Sequence, residues 1–201
     1  SSSLKWRVDN VNSDIGGDIF EKLLSEAESS PVGSNKLFFS PYLIGERTPY
    51  NDPCAKGSFI GLNVTHKRGD MTRSILEGVS FALRDSLEIL KNLNVDMKEV
   101  RISGGGSKSK LWRQIIADVF NLNVSSINSK EGPAYGAAIL AAVGCKLFNS
   151  VDEACEALIK TTDKIQPIRE NVEKYDKLYK VYSTLYSCLK DKFKEIDNLS
   201  I

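Results

Sequence analysis

The stretch "ISGGGSKSKLWRQIIADVF", residues 102–120, holds the residues whose types and spacing best suit chemistry. Three consecutive glycines, Gly104, Gly105 and Gly106, separate a β-like segment from a helical one. Glycine loses more freedom on ordering than any other residue, so three together need a reason. Bare backbone at the mouth of a helix lets N–H groups approach an anion, and the helix dipole favours negative charge there. The chemistry suggested is phosphate or nucleotide binding. Two familiar cradles fail on spacing. A P-loop needs a second glycine five positions after the first, then Lys and a hydroxyl; here Gly104 is followed by Ser109, Lys110 and Leu111. The dinucleotide fingerprint finds Gly104 and Gly106 but meets Ser109 in place of its third glycine. A plain strand-to-helix turn is the other reading, although one or two glycines would satisfy it.

Other reactive residues point away from metal and triad chemistry. His66 is the single histidine, and Cys54, Cys145, Cys155 and Cys188 form no C-x-x-C pair. A zinc site and a histidine-based triad are not expected, and the thiols are expected to be reduced and mostly buried. Glu46, Arg47 and Asp52 fall in "GERTPYND", which reads as a structural hairpin. Glu77 and Arg84 lie in a helical stretch where an internal ion pair is the ordinary explanation. Asp118 suits helix packing or capping. Tyr175, Tyr179, Tyr182 and Tyr186 form a packing stripe.

The elements that must position the glycines follow from periodicity. Ser1–Asp9 opens as a helix with Leu4 and Val8 four apart, and Asp18–Glu28 forms a second. Residues 36–43 look like a strand. Ile44–Phe59 is long and aperiodic, a length that in compact domains usually serves function. Asp70–Leu93 is helical, with a stripe through Ile75, Leu76, Val79, Ala82, Leu83, Ser86 and Leu90, and with Phe81 and Leu87 off it. Strands are expected at 99–103 and 123–127, and helices at Lys110–Phe120, at Pro133–Gly144, at Val151–Ile159 and at Asn171–Ile196. The alternation predicts an α/β fold with parallel pairing. Only two or three strands are convincing, fewer than a stable parallel sheet usually has.

Composition bounds the rest. The 201 residues carry 27 basic and 26 acidic side chains, a formal net charge of +1, and 41% hydrophobic residues, as in an ordinary globular domain. That balance gives no electrostatic case for nucleic acid. No apolar run approaches the ~20 residues of a membrane span. Ser1–Asn12 is polar and charged, so no leader is expected, and a cytoplasmic location follows.

Three stretches resemble the carbohydrate kinases of the FGGY type. "GSFIGLNVTHKRGDMTRSILE" fits that family's second signature at Gly57, Phe59, Gly61 and Leu62 and, after a gap, at Asp70, Met71, Ser74, Ile75, Leu76 and Glu77. "ISGGGSKSKLWRQIIADVF" is similar to its adenosine motif, and "EGPAYGAAILAAVG" to the small-residue helix that follows. "PYLIGERTPYNDPCAKG", Pro41–Gly57, is most similar to members acting on pentuloses. The resemblance implies that residues 1–201 are the C-terminal, nucleotide-binding portion of an actin-like (ribonuclease H-like) ATPase domain lacking its first strands. It implies that Gly104, Gly105 and Gly106 lie against the ribose and α-phosphate of ATP and that Ser109 meets the adenine. It also implies that the N-terminus of the first helix faces the phosphates, with Ser1 and Lys5 where glycerol-phosphorylating members have Gly and Gln. Residues 134–142 would pack close behind the nucleotide strand. The catalytic Asp, the sugar-binding residues and most Mg2+-organising carboxylates are expected upstream, so no catalytic or metal residue is assigned in this chain. The implied reaction moves the γ-phosphoryl of MgATP to D-xylulose. Gluconate, ribulose, rhamnulose or glycerol is the alternative acceptor, and a non-catalytic nucleotide-binding module is the rival from another class. An incomplete sheet would leave apolar surface bare, so self-association, as in a homodimer, is expected.

Overall fold

The computed structural model describes residues 2–11, 18–128 and 132–200. Helix α1 (Ser2–Val11) buries Leu4 and Val8, as the spacing of four predicts. Helix α2 (Ile19–Glu28) starts where Asp18 accepts the Glu21 N–H at 3.1 Å, a side-chain cap that satisfies one orphan donor. Strand β1 (Phe38–Ser40) pairs antiparallel with β2 (Ser58–Ile60), Phe39 opposite Phe59 with ring centroids 4.7 Å apart.

Strand β1 leans on α3 (Arg68–Asn92), the 25-residue helix at the centre of the fold. Gly78 makes that approach feasible: a Cβ there would sit 3.0 Å from the carbonyl carbon of Phe39. Helix α3 buries residues around much of its circumference. The phase of its stripe differs from expectation. Leu83 and Leu90 face solvent, whereas Phe81 and Leu87 are buried, because Phe81 packs against Tyr175 and Tyr182.

Strand β3 (Glu99–Ile102), helix α4 (Lys110–Phe120) and strand β4 (Asn123–Ile127) form a crossover unit with a parallel strand pair, Glu99 opposite Asn123. After α5 (Gly132–Gly144) and α6 (Val151–Leu158), strand β5 (Thr161–Ile165) adds to β4 in the antiparallel sense. The expectation of parallel pairing is thus correct for one pair and wrong for the other two. Strand β5 also escaped the sequence reading. Helix α7 (Arg169–Asp197) closes the fold, burying Val172, Tyr175, Tyr182 and Phe193.

Two further expectations need correction. The strand expected at 36–43 shrinks to Phe38–Ser40, because Gly33, Ser34, Asn35 and Lys36 all take left-handed φ values and turn the chain first. The thiols are free but not mostly buried: Cys145 and Cys188 are exposed, and Cys54 and Cys155 are half-buried. Among the described residues, no helix is long and apolar enough to cross a membrane.

Candidate functional site

The glycines lie where β3 hands over to α4, at the carboxyl end of the parallel strand pair, the edge at which open α/β sheets bind ligands. Each glycine has its own explanation. Gly104 has φ +84° and ψ −171°, a region open essentially to glycine alone. Gly106 has no room for a side chain: a Cβ would lie 2.6 Å from Trp112 Cε3, inside the indole. Gly105 has neither constraint. Its backbone is not left-handed, and among the described residues nothing lies within 4 Å of the position its Cβ would take. The space around Gly104 is equally open.

The turn is held by its own hydrogen bonds. The Ser107 N–H and hydroxyl both donate to Gly104 O, at 3.2 and 2.7 Å, and Ser109 N–H donates to Gly106 O at 3.2 Å. Ser109 caps α4, its Oγ accepting from Trp112 N–H at 3.2 Å. That leaves the hydroxyl its own proton to donate outward. Lys108 and Lys110 are exposed beside the turn and lend it positive charge. The N-terminal turn of α5 comes to the same edge, since a Cβ on Gly132 would lie 3.3 Å from Ser103 Cβ. Beyond that turn α5 packs on α6 and leaves Ala134, Ala137, Ala138 and Ala141 exposed. It does not run behind the strand along its length, contrary to expectation.

The two N-terminal candidates are placed differently. Ser1 lies outside the described residues. Lys5 is on the exposed face of α1 and pairs with Asp9 at 2.7 Å; no hydrogen bond or ion pair joins it to the glycine turn.

The acidic residues singled out in the sequence are held by structural partners. Glu46 and Asp52 exchange backbone hydrogen bonds across a hairpin, at 2.9 and 2.8 Å. The Asp52 carboxylate accepts Tyr186 OH at 2.7 Å and Cys54 N–H at 2.9 Å, and these bonds hold it below the usual carboxylate range. Asp118 accepts Ile168 N–H, Asn171 Nδ2 and Gln114 Nε2, and so ties α4 to the start of α7. Glu77 pairs with Arg73 at 2.8 Å, whereas Arg84 reaches Asp176 at 2.7 Å.

A match to the C-terminal domain of the FGGY family of carbohydrate kinases spans residues 1–145. The chain belongs to that family. Over 184 residues this FGGY chain is 40% identical to the xylulose kinase of Staphylococcus xylosus, a match covering 92% of the chain and 38% of that protein. Over 185 residues it is 32% identical to the gluconokinase of Bacillus licheniformis, covering 92% of the chain and 36% of that protein. The crystal structure of xylulose kinase from Rhodospirillum rubrum superposes with a TM-score of 0.83 at 33% identity, over 96% of this chain and 38% of that one. The chain spans less than two fifths of the length of these relatives.

The family's second signature, located in the fold, is architectural. Asp70 accepts Ser30 Oγ at 2.6 Å, Lys67 N–H at 2.8 Å and Asn35 Nδ2 at 2.9 Å. Burial alone would raise this carboxyl, but the three donors outweigh it and hold Asp70 below its ordinary range. Glu77 accepts Gly33 N–H at 2.9 Å and Ser34 Oγ at 2.8 Å. The two carboxylates thereby fasten the left-handed turn before β1. Sequence reasoning passed over Lys108 and over Trp112, which packs under the turn; the large ring three positions after a helix cap was the available signal.

Proposed function

We propose that this chain is the ATP-binding C-terminal part of a xylulose kinase, residues 1–201 forming one domain, and that the whole enzyme transfers the γ-phosphoryl of MgATP to a hydroxyl of D-xylulose. The observation that carries the reading is Gly105. It is bare with no internal cause, at the carboxyl end of a parallel pair and ahead of a capped helix. A ribose and α-phosphate lying flush against Gly104 and Gly105 would use that openness. Ser109 would offer its hydroxyl to the adenine. Lys108 and Lys110 would add attraction for phosphate. Lys5 would approach the phosphates from α1, and Ser1, outside the described residues, is proposed to contribute with it. Among the described residues there is no cluster of three or more His, Cys, Asp or Glu side chains suited to a metal. No residue of this chain is assigned to hold Mg2+; bound with the nucleotide, the ion would supply neutralisation of charge on the phosphates. The proton acceptor for the sugar hydroxyl and the sugar-binding groups would belong to the part of the enzyme outside this chain. Closing the two parts on both substrates would exclude water and limit wasteful ATP hydrolysis.

The test has two arms in the full-length protein. A coupled kinase assay against ketoses, polyols and aldonates should show the highest kcat/KM for D-xylulose. A preference for gluconate would favour the reading suggested by the gluconokinase relative. Gly105→Val should weaken MgADP binding at least tenfold by calorimetry while shifting the melting temperature little, because the Cβ position has no neighbour within 4 Å among the described residues. Equal affinity in the two proteins would falsify the placement of the nucleotide.

A further inference from the structure

Trp112 touches three parts of the site at once. Its indole lies under Gly106, in the space where a Cβ would otherwise stand, 2.6 Å from Cε3 and 3.0 Å from Cη2. Its backbone N–H donates to the capping hydroxyl of Ser109. Its Nε1–H donates to Ser80 Oγ on α3 at 3.2 Å, and Ser80, itself buried, donates to Leu76 O at 2.8 Å. The residue therefore joins the glycine turn and the central helix through its ring, and the cap of α4 through its backbone N–H.

We propose that Trp112 is a positioning residue for the nucleotide, and that Gly106 is bare to admit the indole rather than to admit the ligand. The inference rests on the nucleotide reading above. Physically, the indole is a flat floor beneath the turn. It keeps residues 104–106 from sinking toward α3, and Ser80 fixes the plane of that floor. The height of the turn sets how closely a ribose and α-phosphate can approach the backbone. A large aromatic ring suits this role because it fills a defined volume with only two rotatable bonds, and its N–H finds a buried acceptor.

The test is a double-mutant cycle in the full-length enzyme, read by MgADP calorimetry and by the KM for ATP. Gly106→Ala forces the turn off the ring and should weaken MgADP about tenfold. In a Trp112→Leu background the same change should cost little further, because the ring that it collided with is gone; the two effects are then strongly non-additive. Ser80→Ala keeps the ring and removes only its acceptor. It should raise the KM for ATP severalfold while leaving kcat and the sugar KM near wild type, a split that general destabilisation would not produce. Additive losses for Gly106→Ala in both backgrounds would assign Gly106 to direct ligand contact and overturn the role. So would an unchanged KM for ATP in both Ser80→Ala and Trp112→Leu. The Gly105→Val arm separates the two failures. If Gly105→Val binds normally, the nucleotide reading and this one fall together; if it binds poorly and the cycle is additive, only the role of Trp112 falls.

Discussion

Glu77 shows how much one side chain can hold at the residue scale. It is 2% exposed, and its carboxylate accepts from Gly33 N–H, Ser34 Oγ, Arg73 Nε and Tyr175 OH, the last two at 2.8 Å. Arg73 is buried beside it and also donates to Ser30 O at 2.9 Å. Removing one partner of such a pair strands the other charge without water, a loss of ~3–5 kcal/mol. Left-handed backbone at Ser34, Asn35 and Lys36 adds to the expectation, since each non-glycine residue there is strained and held by neighbours. Glu77→Ala should lower the free energy of unfolding by ~3 kcal/mol or more in urea melts. Arg73→Met with Glu77→Met should cost less than the single change, because no buried charge is left over. A loss below ~1 kcal/mol for Glu77→Ala would show that water reaches Arg73. That Glu77 would make an internal ion pair was legible from its helical setting. Its grip on a turn more than forty residues away was not, because nothing in local spacing encodes a tertiary hydrogen bond.

Elements divide by how well their own residues announce them. Lys110–Phe120 and the strand at 123–127 were read correctly because cap, apolar period and β-branched residues agree there. Strand β5 was invisible: Thr161, Thr162, Asp163 and Lys164 are exposed and polar, and only pairing with β4 makes them a strand. Helix α7 was recognised as packing, and its tyrosines show against what. Tyr186 stacks on Tyr50 with centroids 3.8 Å apart, and Tyr179 OH donates to Asp85 at 2.7 Å. Tyr50 OH reaches the other Asp85 oxygen at 3.4 Å. These contacts clamp the 42–55 hairpin between α3 and α7. Burial pushes the Asp85 carboxyl above its ordinary range; the two tyrosine hydrogen bonds pull the other way, and Glu46 and Glu88 add repulsion. A carboxyl whose value is raised by folding stabilises the fold while protonated. That contribution is complete below the ordinary carboxylate value and is lost as pH rises through the folded one. The stability of wild type relative to Asp85→Asn should therefore fall as pH rises above about 4. Paired urea melts across that range check it, and a difference independent of pH would place Asp85 in contact with water.

At the scale of the whole molecule, the family and its C-terminal domain were legible because motif residues sit at fixed offsets along the chain. Surface cover was not, since a run of small apolar residues looks alike whether packed or bare. Helix α5 is the case in point. Its composition suggested close packing behind the nucleotide strand, yet Ile139 is its one buried residue, and Leu140 is 61% exposed. Leu147, just beyond the helix, is also exposed. Exposed apolar side chains on one helix, with little of it buried, favour contact with another protein surface. Water offers no substitute, so copies of the 201-residue chain should associate through it as concentration rises. Light scattering should show a mean mass that climbs with concentration, and Leu140→Glu should return it toward that of a monomer. The substitution is at an exposed position, so the melting temperature should barely move, which separates association from folding. A monodisperse monomer at every concentration would mean that Leu140 and the exposed alanines leave too little apolar area on α5 to bind a second copy, and that the face is tolerated bare.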